Sequence, residues 1–289
     1  MTTSAPVVVV TGASRGAGRG IAIALGGHGC TVYVTGRSKD APSGTVPGTI
    51  GETAAAVTAA GGTGIAAACD HADDAQVQAL FERVIAEQGR IDILVNNACA
   101  IHDQLNAPGN FWEKPLAIGN MIDVGVRSGF AASWFAAPHM VAANKGLVVF
   151  TSSPGAVHYC FGPAYGAHKA GLDKMAADMA EDFRHAGSRV AAVSVWMGAL
   201  ATERLLAMIA EDPAKYGHLT EALETPDYTG EMIWALWNDP ALAELSGQTL
   251  IGAELGQRYG IADKTGRIPL SARETHKVAP REQYPIVIR

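Results

Sequence analysis

The feature that most constrains the fold is an apolar, β-branched stretch that runs directly into a glycine-rich turn. Residues 6–11 favour a buried strand, and the turn over residues 12–18 has the spacing G-x-x-x-G-x-G. Apolar residues at helical spacing follow, up to Leu25. Glycines let a backbone approach a pyrophosphate closely, and a helix N-terminus offers unpaired N–H groups and a positive dipole end. The stretch therefore predicts a dinucleotide-binding turn.

Strand and helix patterns alternate along most of the chain. Strands are predicted at residues 6–11, 31–35, 64–69, 91–95, 146–150 and 189–195. Such alternation predicts an α/β fold, with a doubly wound parallel sheet between two helical layers. Right-handed crossovers place the strand carboxyl ends at one edge. The residues that follow these ends, and so are expected to converge on one site, are Gly12, Arg37, Asp70, Asn96, Ser152 and Met197.

Length and composition limit the other possibilities. The 289 residues suit a single domain over residues 5–255, and residues 256–289 are interpreted as a C-terminal extension. A net charge of −6 without a basic block argues against nucleic acid or anionic membranes as partners. The four cysteines are dispersed, so neither a metal site nor a disulfide framework is predicted. No signal segment or membrane span is recognised, and a cytoplasmic location is expected.

A second pattern lies where Tyr165 and Lys169 stand four residues apart at the start of a predicted helix. This spacing places both on one helix face. A phenol has an ordinary pKa of about 10, and a nearby ammonium favours the phenolate, so Lys169 is expected to lower the pKa of Tyr165. A tuned tyrosine can exchange a proton with a substrate oxygen, which a neighbouring serine hydroxyl can also hold. Alone, such a pair is usually a coincidence on a helix surface.

The end of the second predicted strand indicates which dinucleotide is preferred. An acidic residue there binds a free ribose 2′-hydroxyl, whereas an arginine accommodates a 2′-phosphate. This chain has Arg37 at that point, and Arg15 lies in the glycine turn. Two guanidinium groups suit a phosphate, so NADP(H) is expected rather than NAD(H). The alternative is that Arg37 is a solvated loop arginine.

Together, these motifs resemble the short-chain dehydrogenase/reductase family. The matching segments are residues 11–18, 96–98, Ser152 and residues 165–169, in the family's order and near its spacing. The resemblance implies a Rossmann fold, a nicotinamide cofactor and hydride transfer between nicotinamide and a carbonyl or secondary alcohol. Residues 152–155 and the long loop after Asn97 are similar to the dehydrogenase/reductase SDR family member 1 type.

The resemblance also implies catalytic roles. Tyr165 would be the general acid/base, tuned by Lys169, and Ser152 would hold the substrate oxygen. Ser152 is preferred because it lies thirteen residues before Tyr165 and three before Gly155, as in the family, whereas Ser153 is one residue out of step. Asp123 replaces an asparagine of a proton relay, and would hold its water or pair with Lys169. The implied cofactor-binding residues are Gly12, Ser14, Arg15, Gly16, Ala17, Gly18, Arg37, Asp70, Asn96, Ala98, Tyr165, Lys169, Gly198 and Thr202.

Three functions remain open at this point. The preferred one is a carbonyl reductase or alcohol dehydrogenase. The second is an NADP(H)-binding regulatory protein, which Asp123 and the replacement of the family's proline by Met197 would support. The third is an epimerase or dehydratase, against which the lack of a large C-terminal sugar domain counts.

The substrate pocket is expected between residues 99–119, 158–163 and 200–218, which are rich in aromatic residues. These residues indicate a bulky or aromatic substrate, or they only cover the site. Apolar faces on the helices that begin near Val124 and Tyr165 suggest a homodimer or homotetramer by analogy with the family.

Overall fold

A computed structural model describes residues 5–39 and 46–289 of the chain. Seven strands form one parallel sheet in the order β3-β2-β1-β4-β5-β6-β7. Their bounds are β1 (Val7–Val10), β2 (Thr31–Gly36), β3 (Thr63–Ala68), β4 (Ile93–Asn96), β5 (Leu147–Ser152), β6 (Ala191–Trp196) and β7 (Thr249–Ile251). The predicted α/β, Rossmann-like, doubly wound parallel sheet in a single domain is confirmed.

Helices cover both faces of this sheet. Their bounds are α1 (Gly16–Gly27), α2 (Ile50–Ala59), α3 (Asp74–Gln88), α4 (Ser128–Ala143), α5 (Pro163–His185), α6 (Glu203–Glu211), α7 (Pro213–Tyr216), α8 (Tyr228–Asn238), α9 (Leu242–Leu245), α10 (Gly252–Tyr259) and α11 (Ala272–Thr275). Helices α1, α2 and α8 pack on one face, and α3, α4 and α5 pack on the other. The result is three layers with two apolar cores.

The strand β1 shows why the sheet is buried on both sides. Its four valines are fully or almost fully buried. Side chains alternate along a strand, so Val8 and Val10 enter one core whereas Val7 and Val9 enter the other. An uninterrupted run of β-branched residues is therefore what this central strand requires.

Helix boundaries follow local capping chemistry. The Asp73 side chain accepts hydrogen bonds from the backbone N–H groups of Ala75 and Gln76, and so caps the start of α3. The same helix ends at Gly89, whose φ of +71° is the left-handed conformation typical of a C-cap. Thr49 and Glu52 form a capping box at the start of α2.

The region before α4 departs from a simple helix. Residues Ile122–Arg127 form a π-helical turn that is broken at Val124 and Gly125, and regular α-helix begins only at Ser128. Within α4, two large apolar side chains stay outside the core of the single chain, because Phe130 and Trp134 are 53% and 62% exposed.

The C-terminal segment, beyond α10, packs back onto the domain. The Arg267 guanidinium donates to the carbonyl oxygens of Glu221 and Leu223, next to the segment that precedes α8. The imidazoles of His158 and His276 stack with centroids 5.5 Å apart, so this segment also contacts the loop between β5 and α5. None of the helices in the described ranges is long and apolar enough to cross a membrane.

Candidate active site

The turn between β1 and α1 is shaped so that only glycine fits at key positions. Gly12 has a φ of +64°, and a Cβ added there would lie 2.7 Å from Cα of Ala98. A Cβ on Gly18 would collide with the Asn97 amide and the Gly12 carbonyl oxygen. The glycines therefore let this turn pack closely against the segment after β4, and leave the N-terminus of α1 uncovered by side chains of the turn.

Asn97 and Thr11 hold this arrangement together. The Asn97 amide donates to the carbonyl oxygens of Thr11 and Gly12, at 2.9 and 3.0 Å. The Thr11 hydroxyl accepts from the backbone N–H groups of Asn97 and Ala98, at 2.9 and 3.0 Å. Neither residue was among the predicted site residues, although both belong to the two motifs that the sequence singled out.

Asn96, the last residue of β4, has one polar side-chain atom without a hydrogen-bond partner among the described residues. Its side-chain amide donates to the Ser133 hydroxyl, 2.9 Å away, and the residue is buried. The atom without a partner is Oδ1. The side chain of Asn96 thus lies against α4, where Ser133 and Gly129 face it.

The two predicted phosphate-binding arginines lie near each other. The Arg15 guanidinium donates to the Ser38 hydroxyl at 3.0 Å and to the carbonyl oxygens of Val46 and Gly48. Burial lowers the pKa of Arg15, and the charge of the neighbouring Arg37 acts in the same direction. Arg37 itself is exposed at the end of β2. Ser14 and Ala17 occupy the turn and the first turn of α1, respectively.

Three other predicted cofactor residues lie after the ends of β3 and β6. The Asp70 carboxylate accepts from the backbone N–H of Ala72, at 3.0 Å, in the turn after β3. Thr202 is the N-cap of α6, and its methyl carbon lies 3.5 Å from where a Cβ of Gly16 would stand. Gly198 follows β6. These placements agree with the expected convergence of strand ends on one edge.

The Gly198 segment also contacts a buried acid that the sequence did not indicate. The backbone N–H of Gly198 donates to Oε2 of Glu224, 3.2 Å away, and Glu224 is only 3% exposed. Burial raises the pKa of Glu224 to about 7, the Gly198 hydrogen bond lowers it, and the nearby Asp263 raises it further. No local sequence signal distinguishes Glu224 from an ordinary surface glutamate.

The phenol of Tyr165 is paired with Ser153, which corrects the prediction of Ser152. The Ser153 hydroxyl and the Tyr165 phenol oxygen lie 2.9 Å apart. Ser152 is the last residue of β5 and is fully buried, and its hydroxyl donates to the Lys169 carbonyl oxygen at 3.2 Å. Ser153 precedes Tyr165 by twelve residues rather than thirteen. A short 3-10 turn at Pro154–Ala156 follows this serine.

Ser152 instead belongs to a buried polar layer beneath α5. Asp173 accepts from the Ser194 hydroxyl at 2.6 Å and from the Trp196 indole N–H at 2.9 Å. Burial raises the pKa of Asp173, and the hydrogen bonds from these two residues partly offset that rise. This layer joins α5 to the ends of β5 and β6, and so fixes the helix that carries Tyr165.

Lys169 is buried one turn after Tyr165, as the spacing predicted. Its ammonium donates to the Thr151 carbonyl oxygen at 3.0 Å and lies 5.7 Å from the centroid of the Tyr165 ring. The expected lowering of the Tyr165 pKa is not found. Burial raises that pKa, the Ser153 hydrogen bond lowers it in part, and the Cys160 and Cys99 thiols raise it. Burial also lowers the pKa of Lys169.

Asp123 does not pair with Lys169, contrary to one of the two expectations for it. Its side chain is exposed, and among the described residues the hydrogen bond of the Lys169 ammonium goes to Thr151. The bend of the chain here accommodates His168, since a Cβ on Gly125 would lie 2.6 Å from the His168 Nε2. Burial lowers the pKa of His168 to about 2, so this imidazole is neutral.

Comparisons with known proteins agree with this geometry. The sequence profile described as short chain dehydrogenase matches residues 6–211. Dehydrogenase/reductase SDR family member 1 of Mus musculus is 40% identical over 272 residues, which cover 90% of this chain and 84% of the mouse protein. The Homo sapiens protein of the same name gives the same identity and coverage.

Solved structures give the same result. A Mycobacterium thermoresistibile short chain dehydrogenase superimposes with a TM-score of 0.75 at 26% identity, over 89% of this chain and 88% of the other. A Xanthomonas campestris protein assigned as a dehydrogenase has a TM-score of 0.77 at 29% identity, over 93% and 95% of the two chains. With a matching profile over most of its length and a relative of this similarity, the chain belongs to the short-chain dehydrogenase/reductase family of oxidoreductases.

Proposed function

We propose that the protein is an NADP(H)-dependent oxidoreductase that interconverts a carbonyl compound and the corresponding secondary alcohol. The observation that carries this proposal is the hydrogen bond between Ser153 and Tyr165, one helical turn from a buried Lys169. A regulatory nucleotide-binding protein has no need for a buried phenol, hydroxyl and ammonium together. The bound nicotinamide would supply or accept the hydride.

The residues of the chain would polarise the carbonyl, deliver the proton and stabilise the developing charge. The Ser153 hydroxyl and the Tyr165 phenol would both donate hydrogen bonds to the substrate oxygen and polarise the carbonyl. Because its pKa is raised, Tyr165 holds its proton at neutral pH and can deliver it to that oxygen as negative charge develops. Lys169 would stabilise negative charge on the phenol and hold a ribose hydroxyl.

The glycine cradle and the N-terminus of α1 support binding of the dinucleotide. The preference for NADP(H) rests on Arg37, which is exposed and free to move toward a 2′-phosphate, and on the neighbouring Arg15. An arginine can contact a phosphate through two N–H groups at once. It cannot make this charged, two-point contact with a neutral ribose hydroxyl.

The first experiment is a titration of the protein with NADPH and with NADH, followed by nicotinamide fluorescence. NADPH should bind more tightly, and Arg37→Asp should weaken NADPH far more than NADH. Arg189→Asp has the same charge change on an exposed arginine just before β6, and should leave both affinities unchanged. Equal affinity of the wild type for both dinucleotides would overturn the NADP(H) preference.

Catalysis is tested separately with Tyr165→Phe. This variant should lose about 1,000-fold in the rate of carbonyl reduction, since general acid catalysis contributes about 10²–10⁴-fold. Its affinity for NADPH should stay close to that of the wild type. Retention of activity would remove Tyr165 from the chemistry and would favour a purely binding role for the fold.

We also propose that the protein is a homodimer or homotetramer that buries the outer face of α4. Phe130 and Trp134 are one helical turn apart on this face, and both are more than half exposed in the single chain. Aromatic side chains of this kind are typical of interface cores. Burial of this face against another copy would also explain why the sequence of α4 is apolar around its circumference.

A further inference from the structure

The loop between β5 and α5 contains an aromatic residue in a backbone conformation that side chains disfavour. Phe161 has a φ of +56°, and Gly162 after it has a φ of +108°. In the left-handed region, Cβ crowds the backbone, and a bulky residue there is an outlier. Glycine would adopt this conformation without strain. The chain nevertheless has a phenylalanine at this position.

The ring of Phe161 lies against the proposed proton donor. The centroids of Phe161 and Tyr165 are 5.1 Å apart and the ring planes are at 87°, which is an edge-to-face contact. Phe161 is also 43% exposed. Its backbone conformation therefore leaves part of an aromatic surface open directly beside the phenol.

Apolar side chains also surround Tyr165. The tyrosine packs against a cluster of Leu105, Ile118 and Met121, together with Cys99 and Ala164. Its phenol oxygen lies 2.9 Å from the Ser153 hydroxyl, and the Lys169 ammonium lies 5.7 Å from the ring centroid. A substrate whose oxygen meets Ser153 and Tyr165 therefore has apolar side chains and the Phe161 ring beside it.

The rest of the protein holds this loop in place. Ala156 and Val157 pack against Ala272 and Val278 of the C-terminal segment. The neighbouring His158 stacks on His276 of the same segment. Strained conformations persist only where surrounding contacts fix them, and they cluster at functional sites.

We propose that Phe161 determines the specificity of this site, selecting substrates whose carbonyl carbon bears a flat aromatic or conjugated group that lies against its ring. This inference rests on the proposed function, and it names the substrate class. A saturated ring of equal size should bind against Phe161 less tightly, because such a ring lacks the flat surface and the quadrupole of an aromatic group.

The test compares acetophenone with cyclohexyl methyl ketone, which have equal numbers of carbon atoms. Binding to the protein saturated with NADP⁺, which cannot reduce either ketone, is measured by calorimetry. The wild type should bind acetophenone about fivefold more tightly, the ratio expected for one aromatic pair. Phe161→Ala and Phe161→Leu should reduce that ratio to about one. Tyr284→Ala, which removes an exposed aromatic ring outside the loops expected to line the pocket, should leave it unchanged.

The backbone conformation is tested by thermal unfolding of Phe161→Ala and Phe161→Gly. Both variants lack the ring, so the glycine variant should unfold at the higher temperature if this position is left-handed. Equal unfolding temperatures, equal binding of both ketones by the wild type, or an unchanged ratio in Phe161→Ala would each overturn the inference. A wild type that binds acetophenone with the expected ratio but reduces no ketone with NADPH would instead overturn the proposed function.

Discussion

The carboxylate of Glu203 accepts a hydrogen bond from the backbone N–H of Gly16, with Oε2 and the nitrogen 2.9 Å apart. Gly16 is the first residue of α1, so a negative charge of the protein itself lies where the helix dipole favours an anion. The next residue, Arg204, pairs with Asp103 at 2.9 Å in the loop after β4. The start of α6 thus contacts both the glycine turn and the proposed substrate loop.

Glu203→Gln is expected to tighten NADPH binding about three- to tenfold. The carboxylate competes with a phosphate for the same N–H and repels it, and charges a few Å apart near a surface interact by about 1 kcal/mol or more. The measurement is a fluorescence titration at low and high salt, where the gain should shrink as salt screens the charge. Glu211→Gln, at the other end of α6, is the charge-matched control. Weaker binding by Glu203→Gln would mean that the carboxylate supports the site.

Ser153→Ala and Ser152→Ala should separate catalysis from stability. Loss of the Ser153 hydroxyl is expected to reduce kcat about 100-fold, because one donor to a developing charge is removed. Ser152→Ala removes a buried hydrogen bond to the Lys169 carbonyl oxygen, and should lower the free energy of unfolding by about 1 kcal/mol with a much smaller effect on kcat. Steady-state kinetics and urea unfolding measure the two effects, and the reverse pattern would restore Ser152 as the substrate-binding serine.

Glu224 should make stability depend on pH in a defined window. Its pKa is raised from 4.5 to about 7 in the folded chain. Between these values the folded chain keeps a proton that the unfolded chain has released, so stability falls as pH rises, by at most about 3 kcal/mol. Glu224→Gln should therefore gain stability relative to the wild type from pH 5 to pH 8, roughly across this window.

This dependence is measured as the difference in unfolding temperature between wild type and Glu224→Gln at each pH. Taking the difference cancels other titrating groups, such as His71, whose pKa burial lowers to about 4. Glu221→Gln, at an exposed neighbouring position, should show the same dependence of unfolding temperature on pH as the wild type. If the unfolding temperature of Glu224→Gln also followed that of the wild type at every pH, Glu224 would be ionised in the folded protein.

Trp134→Arg is expected to convert the proposed oligomer to a monomer or to weaken it strongly. An arginine in the core of an apolar interface leaves a buried charge without a partner. Size-exclusion chromatography with light scattering measures the mass. Trp112→Arg is the control, because Trp112 is 69% exposed in a loop outside α4 and should leave the mass unchanged. A monomeric wild type would contradict the proposed assembly.

Most of the fold was predictable from short-range patterns. The valines of β1 specify a strand buried on both sides, and the glycine spacing after it specifies a turn with left-handed residues. Asp73, a residue type that favours the N-cap position, caps α3. These features depend on the preferences of residues within a few positions of one another, so local composition is sufficient to identify them. The spacing of Tyr165 and Lys169 is of the same kind.

The details of the site depended on tertiary structure. Counting from Tyr165 selected Ser152, but the path of the chain after β5 turns Ser153 toward the phenol and buries Ser152. The Lys169 ammonium lies four residues from Tyr165, yet burial raises the pKa of the phenol, because loss of hydration outweighs the expected effect of that charge.

The sequence by itself determined the α/β fold, the edge of the sheet where the site lies, and the residue types available for chemistry. Only the tertiary structure placed Glu203 against Gly16, 187 residues away in the chain, and the C-terminal segment against the loop that carries Phe161. Strands and helices follow from local preferences. Contacts between loops depend on how distant elements pack, and on which polar groups lose water there, which a linear pattern does not encode.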